Sequence, residues 1–381
     1  MRFRRPCRHC VSLTGRAGGT RRTLVLVTGT PLDAEDLRVR VQKSLDEFVQ
    51  GQVPRLDAVS EDLGPLIDAV SSFLAGGKRL RPAFCYWGWR GAGGDDGEAI
   101  VRAATSLELL QACALIHDDV MDGSDTRRGL PSAHRRFSAL HRGNGWLGSP
   151  EWFGVGGAIL LGDLCLSWAD EMLFASGLPG DALLRSKPVL DEMRTELMSG
   201  QYLDLLEQAK GGGSVERARR VIRFKRAKYT IERPLHLGAA LAGADPGLSL
   251  TYTAYGLPLG EAFQLRDDVL GVFGDPAETG KPAGDDLREG KRTVLVTTTL
   301  DQASPAAAAV LRRHLGDPHL QAAGVDEARE VIASTGALAH VERMITELTT
   351  SALAALEAGD VAEPARSVLA DLAVAATERR G

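Results

Sequence analysis

Cysteine is scarce in this chain, with five residues among 381. The number is odd and the spacing is wide, which argues against the disulfide framework of a small secreted protein and favours a reduced, cytoplasmic one. Cys7 and Cys10 form a C-x-x-C pair, but no second pair of ligands follows at a suitable spacing. We therefore predict no zinc site there.

Strong net charge and long apolar runs are missing as well. The formal net charge is −5, which gives no indication of a surface for nucleic acid or anionic membranes. The most apolar later stretch, Val155–Trp168, is interrupted by Asp163 and is too short for a bilayer, so we predict no transmembrane segment. Residues 1–30 are rich in arginine, lack the apolar core of a signal peptide and are expected to form a disordered extension.

Alternating strand patterns are scarce, and apolar residues recur every three or four positions from Pro31 onward. The sequence therefore predicts an all-α fold, with one helical domain over residues 31–381. Helix breaks are expected where glycine, proline and aspartate cluster, at Gly91–Gly97, His141–Trp152, Lys210–Ser214 and Gly274–Gly290.

Two apolar segments end in carboxylates. Ser106–His117 is apolar on nearly every side, which predicts a helix surrounded by other helices, and aspartates follow at 118–119. Leu257–Leu265 is similarly apolar and leads to aspartates at 267–268. We expect the two helices to face each other, and each to end in a polar loop after its carboxylates.

Asp118 and Asp122 are expected one helical turn apart, with side chains about 5 Å from each other. Two ionised carboxylates at that distance repel by roughly 3 kcal/mol at an effective dielectric near 20, so a cation is expected beside them. Magnesium fits because it prefers oxygen ligands and completes its coordination with water and substrate phosphates. A solvated acidic helix end without a ligand is the alternative, and it is disfavoured because the charges oppose the helix dipole.

Cations supply the complement to these carboxylates. Gly76–Pro82 places Lys78, Arg79 and Arg81 beside a glycine hinge, which suits a diphosphate, although a solvated basic turn is the alternative. Three further lysines would each, on sequence alone, be expected at the surface: Lys228, Lys281 and Lys291.

Together these motifs resemble those of the trans-isoprenyl diphosphate synthases, or polyprenyl synthetases, especially the geranylgeranyl diphosphate synthase-like members, over residues 37–375. The matching elements follow in the family's order: Gly76–Pro82, Asp118–Asp122, Arg127–Gly129, Gly162-Asp163, Gly200-Gln201, Phe263-Gln264, Asp267-Asp268, Gly280–Pro282 and Gly290-Lys291. The resemblance implies a helical bundle around a central cavity, Mg²⁺ as the cofactor, isopentenyl diphosphate and an allylic diphosphate as substrates, and a homodimer.

The resemblance also implies a role for each matched residue. The isopentenyl diphosphate site would comprise Gly77, Lys78, Arg81, Gln111 and Arg128. The allylic diphosphate would be bound by Arg127, Lys228, Gln264 and Lys281. Magnesium would be bridged by Asp118, Asp122 and Asp267, with Asp119 and Asp268 as more distant, water-mediated partners. These carboxylates and Lys228 form the implied catalytic set.

The chain departs from the family pattern at three places. Gly271 stands where the second aspartate motif has its last carboxylate, and Asp285 or Asp286 is a candidate substitute. The family's Lys-Thr pair is matched only loosely, by residues 228–230, which read Lys-Tyr-Thr. Gln111 replaces a histidine of many members, and its amide can still donate to a phosphate oxygen.

The resemblance implies ionisation of the allylic C–O bond, attack by the isopentenyl double bond and loss of a proton. A terpene cyclase is a second interpretation, but a one-substrate enzyme would not need Lys78, Arg81 and Arg128. A non-catalytic partner subunit is a third, and both aspartate pairs argue against it. These readings can be separated by product formation from labelled isopentenyl diphosphate.

Product length is indicated by small residues upstream of the first motif. Cys113 and Ala114 lie five and four residues before Asp118, where members that stop at farnesyl often carry an aromatic side chain. The tail is therefore expected to pass this level and to stop deeper, near Leu110, which favours geranylgeranyl diphosphate over a farnesyl or a longer product. The alternative is that these residues only pack the core.

Overall fold

The computed structural model describes residues 31–210, 214–275 and 284–378. The predicted N-terminal extension, the Cys7–Cys10 pair and Lys281 lie outside the described residues, so the expectations for them stay predictions. Within the described ranges, strand structure is confined to a short antiparallel pair, Thr126–Arg127 (β1) and Leu130–Pro131 (β2). The all-α fold class is confirmed.

The helices of the described residues follow one another with short connections. They are α1 (Leu37–Asp57), α2 (Gly64–Leu74), α3 (Leu80–Gly91), α4 (Glu98–Met121), α5 (Ala133–Gly143), α6 (Pro150–Phe174), α7 (Gly180–Lys210), α8 (Val215–Val221), α9 (Arg233–Ala242), α10 (Pro246–Phe273), α11 (Asp285–Arg288), α12 (Val294–Gln302), α13 (Pro305–His314), α14 (Ala322–Ser334), α15 (Ala337–Ala358) and α16 (Ala365–Thr377). A π-helical segment, Ile222–Glu232, joins α8 to α9.

Helix α4 lies at the centre of the bundle, as its all-round apolar pattern predicts. It packs against α1, α3 and α6, and Leu107, Leu109 and Leu110 are completely buried. Its last turn carries Asp118, and Asp122 follows directly as the C-terminal cap. The helix therefore delivers carboxylates from the apolar interior to a polar cavity.

The breaks expected between α3 and α4 and between α5 and α6 occur, whereas those expected at Lys210–Ser214 and Gly274–Gly290 fall partly outside the described residues. Local chemistry explains where helices begin. Ser149 accepts a hydrogen bond from the Trp152 N–H at the start of α6, and Asp245 accepts one from the Gly247 N–H at the start of α10. These side chains satisfy backbone donors that have no partner within the first helical turn.

Helix α10 is longer than expected. It continues past Asp267 and Asp268 to Phe273, so these aspartates lie inside the helix rather than at the start of a loop. The physical reason is that Val269 and Val272 are buried and prolong the apolar stripe, and no helix breaker occurs before Gly274.

Close packing holds the π-helical segment between α7 and α10. A Cβ atom on Gly200 would lie 2.5 Å from the Lys225 backbone nitrogen, and one on Gly260 would lie 2.5 Å from the Ala227 Cα. Only glycine permits such contact between backbones. The π-helical winding, which is rare and often occurs at functional sites, presents Lys225 to the cavity.

By length and composition alone, α4 and α6 are each apolar enough to cross a bilayer. The most apolar part of α4 is 72% buried within the protein, whereas that of α6 is 39% buried. Burial accounts for the apolar character of α4 as a core helix. In α6 part of the apolar surface is exposed, including Trp152 and Leu160.

Candidate active site

A cavity of about 530 Å³ lies where α4, the π-helical segment, α10 and α11 meet. Its carboxylates are Asp118, Asp122, Asp204, Glu207, Asp267, Asp268, Asp286 and Glu289. Its cations are Lys78, Arg127, Lys225, Arg226, Lys291 and Arg292. Both aspartate motifs therefore contribute carboxylates to one cavity, and cations surround them.

Asp118 is the best-anchored carboxylate of the first motif. It accepts hydrogen bonds from Gln201 Nε2 at 2.8 Å and from Lys225 Nζ at 3.1 Å. Burial opposes its ionisation, but the charges of Lys225 and Arg226 outweigh burial and lower the pKa to about 2. Asp118 is therefore ionised and fixed in position at neutral pH.

Asp122 lies one helical turn further on, as predicted. Its N–H donates to the Asp118 carbonyl at 2.8 Å. Burial and the charge of Asp118 raise its pKa to about 6. Its Oδ1 atom is buried without a hydrogen-bond partner in the described structure. A buried carboxylate oxygen of this kind is stabilised by a bound cation.

Asp119 points away from the cavity. It is fully buried and accepts a hydrogen bond from Arg127 Nε at 3.0 Å. Arg127 in turn lines the cavity. Asp119 thus orients a cation of the cavity wall, and the water-mediated role expected for it stays a prediction.

The second motif contributes Asp267 and Asp268 to the cavity wall. Gln264 Nε2 donates to Asp268 at 2.7 Å. Burial, reinforced by the charge of Asp286, raises the pKa of Asp268 to about 7. Gln264 therefore lies at the cavity, as its assignment to the allylic substrate requires, and it also orients a carboxylate.

The carboxylate missing at Gly271 is replaced in space by Asp286. A Cβ atom on Gly271 would lie 1.9 Å from Asp286 Oδ2, so the two positions share one volume. Asp286 accepts a hydrogen bond from Lys291 Nζ at 2.9 Å and lines the cavity. Of the two candidate substitutes, Asp286 is the one at the cavity, since Asp285 is not among the lining residues described.

Restoring an aspartate at 271 is expected to be harmful by itself. Gly271→Asp forces two carboxylates into one volume, and overpacking of this kind costs about 1–3 kcal/mol of stability. The double variant Gly271→Asp with Asp286→Ser frees that volume and should recover most of the loss in thermal unfolding. Gly51→Asp is the matched control, because nothing lies within 4 Å of a Cβ there. A Gly271→Asp protein as stable as wild type would contradict this account.

The lysine assigned to the allylic site requires correction. Lys228 does not line the cavity. Its ammonium pairs with Glu196 and lies 3.7 Å from Glu232. Lys225 instead lies in the cavity wall, where its ammonium donates to Asp118 and, at 2.5 Å, to Asp204. The sequence pattern pointed to Lys228, but the winding of the segment decides which side chain faces inward, and it turns Lys225 to the cavity.

Most of the predicted isopentenyl site lies beside the cavity rather than in its wall. Lys78 lines the cavity. Gly77 has a φ of +111° and a Cβ there would approach Arg128 Nη2 to 3.2 Å, so the two loops meet as expected. Arg81 donates to Thr230 at 2.8 Å and stacks over the Tyr229 ring at 4.3 Å.

Gln111 and Arg79, near this site, differ in whether their polar atoms have partners. The Gln111 Oε1 atom is buried without a hydrogen-bond partner in the part of the chain that is described. Arg79, which the sequence groups with Lys78 and Arg81, turns inward instead and pairs with the buried Glu108 at 2.5 Å. Arg79 is therefore a structural residue.

The residues expected to set product length lie in the helix below the carboxylates. Cys113 and Leu110 are each 1% exposed, and the Cys113 sulfur lies 3.8 Å from His117 Nδ1. Ala114 is half-buried, one helical turn before Asp118. None of the three is among the described lining residues of the cavity.

The donor set fits a magnesium ion that the substrate helps to bind. In the described ranges, no three His, Cys, Asp or Glu side chains are close enough to form a metal cage by themselves. Mg²⁺ usually takes one or two carboxylates together with water and substrate phosphates. Carboxylates from the ends of α4 and α10 around one cavity, with Asp122 Oδ1 buried and lacking a hydrogen-bond partner in the described residues, fit that mode of binding.

Comparison with known proteins decides the family. The polyprenyl synthetase family model matches residues 65–332. The chain belongs to the polyprenyl synthetase family. The resemblance stated from the motifs is confirmed, and the enzyme class, a trans-type prenyl diphosphate synthase, follows from it.

Individual members of the polyprenyl synthetase family support this assignment. The chain is 34% identical over 275 residues to a geranylfarnesyl diphosphate synthase of Aeropyrum pernix, covering 70% of this chain and 79% of the relative. It is 33% identical over 262 residues to a geranylgeranyl diphosphate synthase of Saccharolobus solfataricus, covering 68% and 74%. Synthases named for different products are thus almost equally similar to it.

The fold is shared with a solved member of the family. The structure of geranylgeranyl pyrophosphate synthase from Corynebacterium glutamicum, complexed with isoprenyl diphosphate and magnesium, superposes with a TM-score of 0.87 at 46% sequence identity. The match covers 90% of this chain and 98% of that one. The polyprenyl synthetase fold therefore extends over nearly all of both chains.

Proposed function

We propose that this chain is a magnesium-dependent synthase that condenses isopentenyl diphosphate with an allylic diphosphate to make geranylgeranyl diphosphate. The observation that carries the proposal is the single cavity shared by Asp118, Asp122 and Asp267 and surrounded by cations. Such a cavity suits the departure of a diphosphate, because its charge grows as the allylic C–O bond breaks. The solved relative that was crystallised with isoprenyl diphosphate and magnesium supports the same reading.

Each part of the cavity has a role in this proposal. Asp118, Asp122 and Asp267 hold Mg²⁺, which when bound supplies positive charge to the departing diphosphate. Arg127 and Lys225 bind the allylic diphosphate beside it, and Lys225 takes the role first assigned to Lys228. The apolar helices exclude water from the carbocation, which would otherwise be quenched.

We place isopentenyl diphosphate on the side of Lys78, Arg81 and Arg128. Charge-assisted hydrogen bonds from these groups suit its diphosphate. We add Gln111 of α4 to this site, because its amide oxygen is buried and has no hydrogen-bond partner among the described residues. The two diphosphates would then bind at different places. The double bond of isopentenyl diphosphate would approach the allylic carbon from outside the metal site.

A product assay tests the function directly. The purified chain is incubated with labelled isopentenyl diphosphate and Mg²⁺, with geranyl or farnesyl diphosphate or with no primer. We expect linear extension only when a primer is present and no activity after chelation. A cyclised hydrocarbon would indicate a terpene cyclase, and no product in any arm would favour a partner subunit.

Product length should respond to bulk below the first aspartate motif. Ala114→Phe is expected to shorten the product to farnesyl diphosphate, because Ala114 is half-buried one turn before Asp118. Cys113→Phe, at a fully buried position, is expected to shorten it with some loss of stability from overpacking. Chromatography of the dephosphorylated products gives the length. Unchanged product from folded, active variants at both positions would refute this account of length control.

We further propose a cytoplasmic homodimer that uses the exposed side of α6. Trp152 and Leu160 on this helix are 76% and 65% exposed, and a group of exposed large apolar side chains on one helix is a candidate for an interface. Leu160→Glu is expected to convert the dimer to a monomer in sedimentation velocity. Leu184→Glu, at a leucine 71% exposed on α7, is the control and should leave the dimer intact. A monomeric wild type would contradict the proposal.

A further inference from the structure

Arg226 differs from most cations of the cavity. Arg127, Lys225 and Lys291 are each held by carboxylates. Arg226 lines the cavity, yet it makes no hydrogen bond or ion pair with any residue of the described ranges. Arg292 shares this property, but it lies beside Lys291 in the chain rather than beside the first aspartate motif.

The position of Arg226 is fixed by its neighbours. It follows Lys225, which is buried against Asp118, and precedes Ala227, whose Cα would lie 2.5 Å from a Cβ on Gly260. The backbone of the π-helical segment is therefore immobilised on both sides of Arg226. Burial has the largest influence on the pKa values of Asp118 and Arg81, and the charge of Arg226 lowers both.

A half-buried guanidinium without a carboxylate is an unfavourable arrangement unless an anion binds to it. Its planar fork of N–H donors matches phosphate oxygens in pairs, which a lysine cannot reproduce. The neighbouring acidic side chains are already engaged: Lys225 pairs with Asp118 and Asp204. The arrangement therefore leaves the donors of Arg226 available for a ligand in the cavity.

We infer that Arg226 binds the diphosphate of the allylic substrate, an inference that rests on the proposed function. The allylic rather than the isopentenyl diphosphate is favoured because Arg226 shares the cavity wall with Asp118 and Lys225. Arg81 and Arg128, which belong to the proposed isopentenyl site, are not among the described lining residues. Sequence patterns alone gave no role to Arg226.

Calorimetric binding to the full-length protein with Mg²⁺ tests this inference. The probes are geranyl S-thiolodiphosphate, which ionises too slowly to react, and isopentenyl diphosphate. Arg226→Met is expected to raise the Kd of the thiolodiphosphate about 10- to 100-fold, as loss of a charged hydrogen bond implies, and to leave that of isopentenyl diphosphate unchanged. Arg226→Lys should fall between Arg226→Met and wild type, because it keeps the charge but loses the fork.

Arg223→Met is the matched control on the same π-helical segment. Arg223 is exposed and bonds Glu261 at 3.3 Å, and Glu261 keeps a second partner in Arg219. This variant should bind both probes as wild type does. An Arg226→Met protein with an unchanged melting temperature and unchanged thiolodiphosphate affinity would overturn the inference, as would equal losses for both probes. A wild-type protein that binds neither probe and makes no product would instead refute the proposed function.

Discussion

Replacing Asp118 with alanine is expected to lower kcat/KM by at least about 1,000-fold, since a bound metal contributes several kcal/mol to the stabilisation of developing charge. Asp118 is ionised and anchored by Gln201 and Lys225, so its loss removes both a metal ligand and the partner of a buried lysine. Asp122→Ala and Asp267→Ala should lower activity in the same direction. The measurement is steady-state turnover at saturating Mg²⁺, with thermal unfolding of each variant alongside.

Asp181→Asn is the control for this series. Asp181 is an exposed carboxylate paired with Arg185 near the start of α7, away from the cavity. It should retain wild-type turnover. If Asp118→Ala is folded and keeps turnover close to wild type, then Asp118 does not bind the metal. Recovery of the Asp122→Ala activity at high Mg²⁺ would identify a binding defect rather than a loss of chemistry.

The pair Lys225→Met and Lys228→Met should behave in opposite ways. Lys225→Met is expected to reduce kcat about 100-fold or more, as the loss of one preorganised donor at a site of developing charge typically does. Lys228→Met should keep turnover close to wild type but lower stability by about 1–3 kcal/mol, because it removes one partner of Glu196. Glu196 retains Arg233 at 2.7 Å, which limits that loss.

Lys225 and Lys228 lie in the same π-helical segment, three positions apart, so each variant is a control for the other. Turnover and thermal unfolding measured on both variants separate a site residue from a structural one. A Lys228→Met enzyme with a large loss of kcat at unchanged stability would return the allylic role to Lys228. Loss of activity in both variants with matching losses of stability would assign neither lysine to the substrate.

Features whose chemistry is local could be predicted from the amino-acid sequence. Apolar residues on every side of Ser106–His117 predicted a buried helix, and the spacing of Asp118 and Asp122 placed both carboxylates at its end. The order of motifs from Gly76 to Lys291 was enough for the family, because each motif is a short run of neighbouring residues. Helix breaks could be predicted from clusters of glycine, proline and aspartate, because these residues affect the local backbone conformation.

Which side chains meet depends on how the helices pack against one another. Lys225 rather than Lys228 faces Asp118 because the segment is wound as a π-helix between Gly200 and Gly260, and winding depends on that packing. Asp286 fills the place opposite Gly271 although the two residues are 15 positions apart in sequence. The same packing against Gly200 and Gly260 fixes the position of Arg226. Periodicity describes one element at a time, whereas a site is formed by contacts between elements, which no single pattern contains.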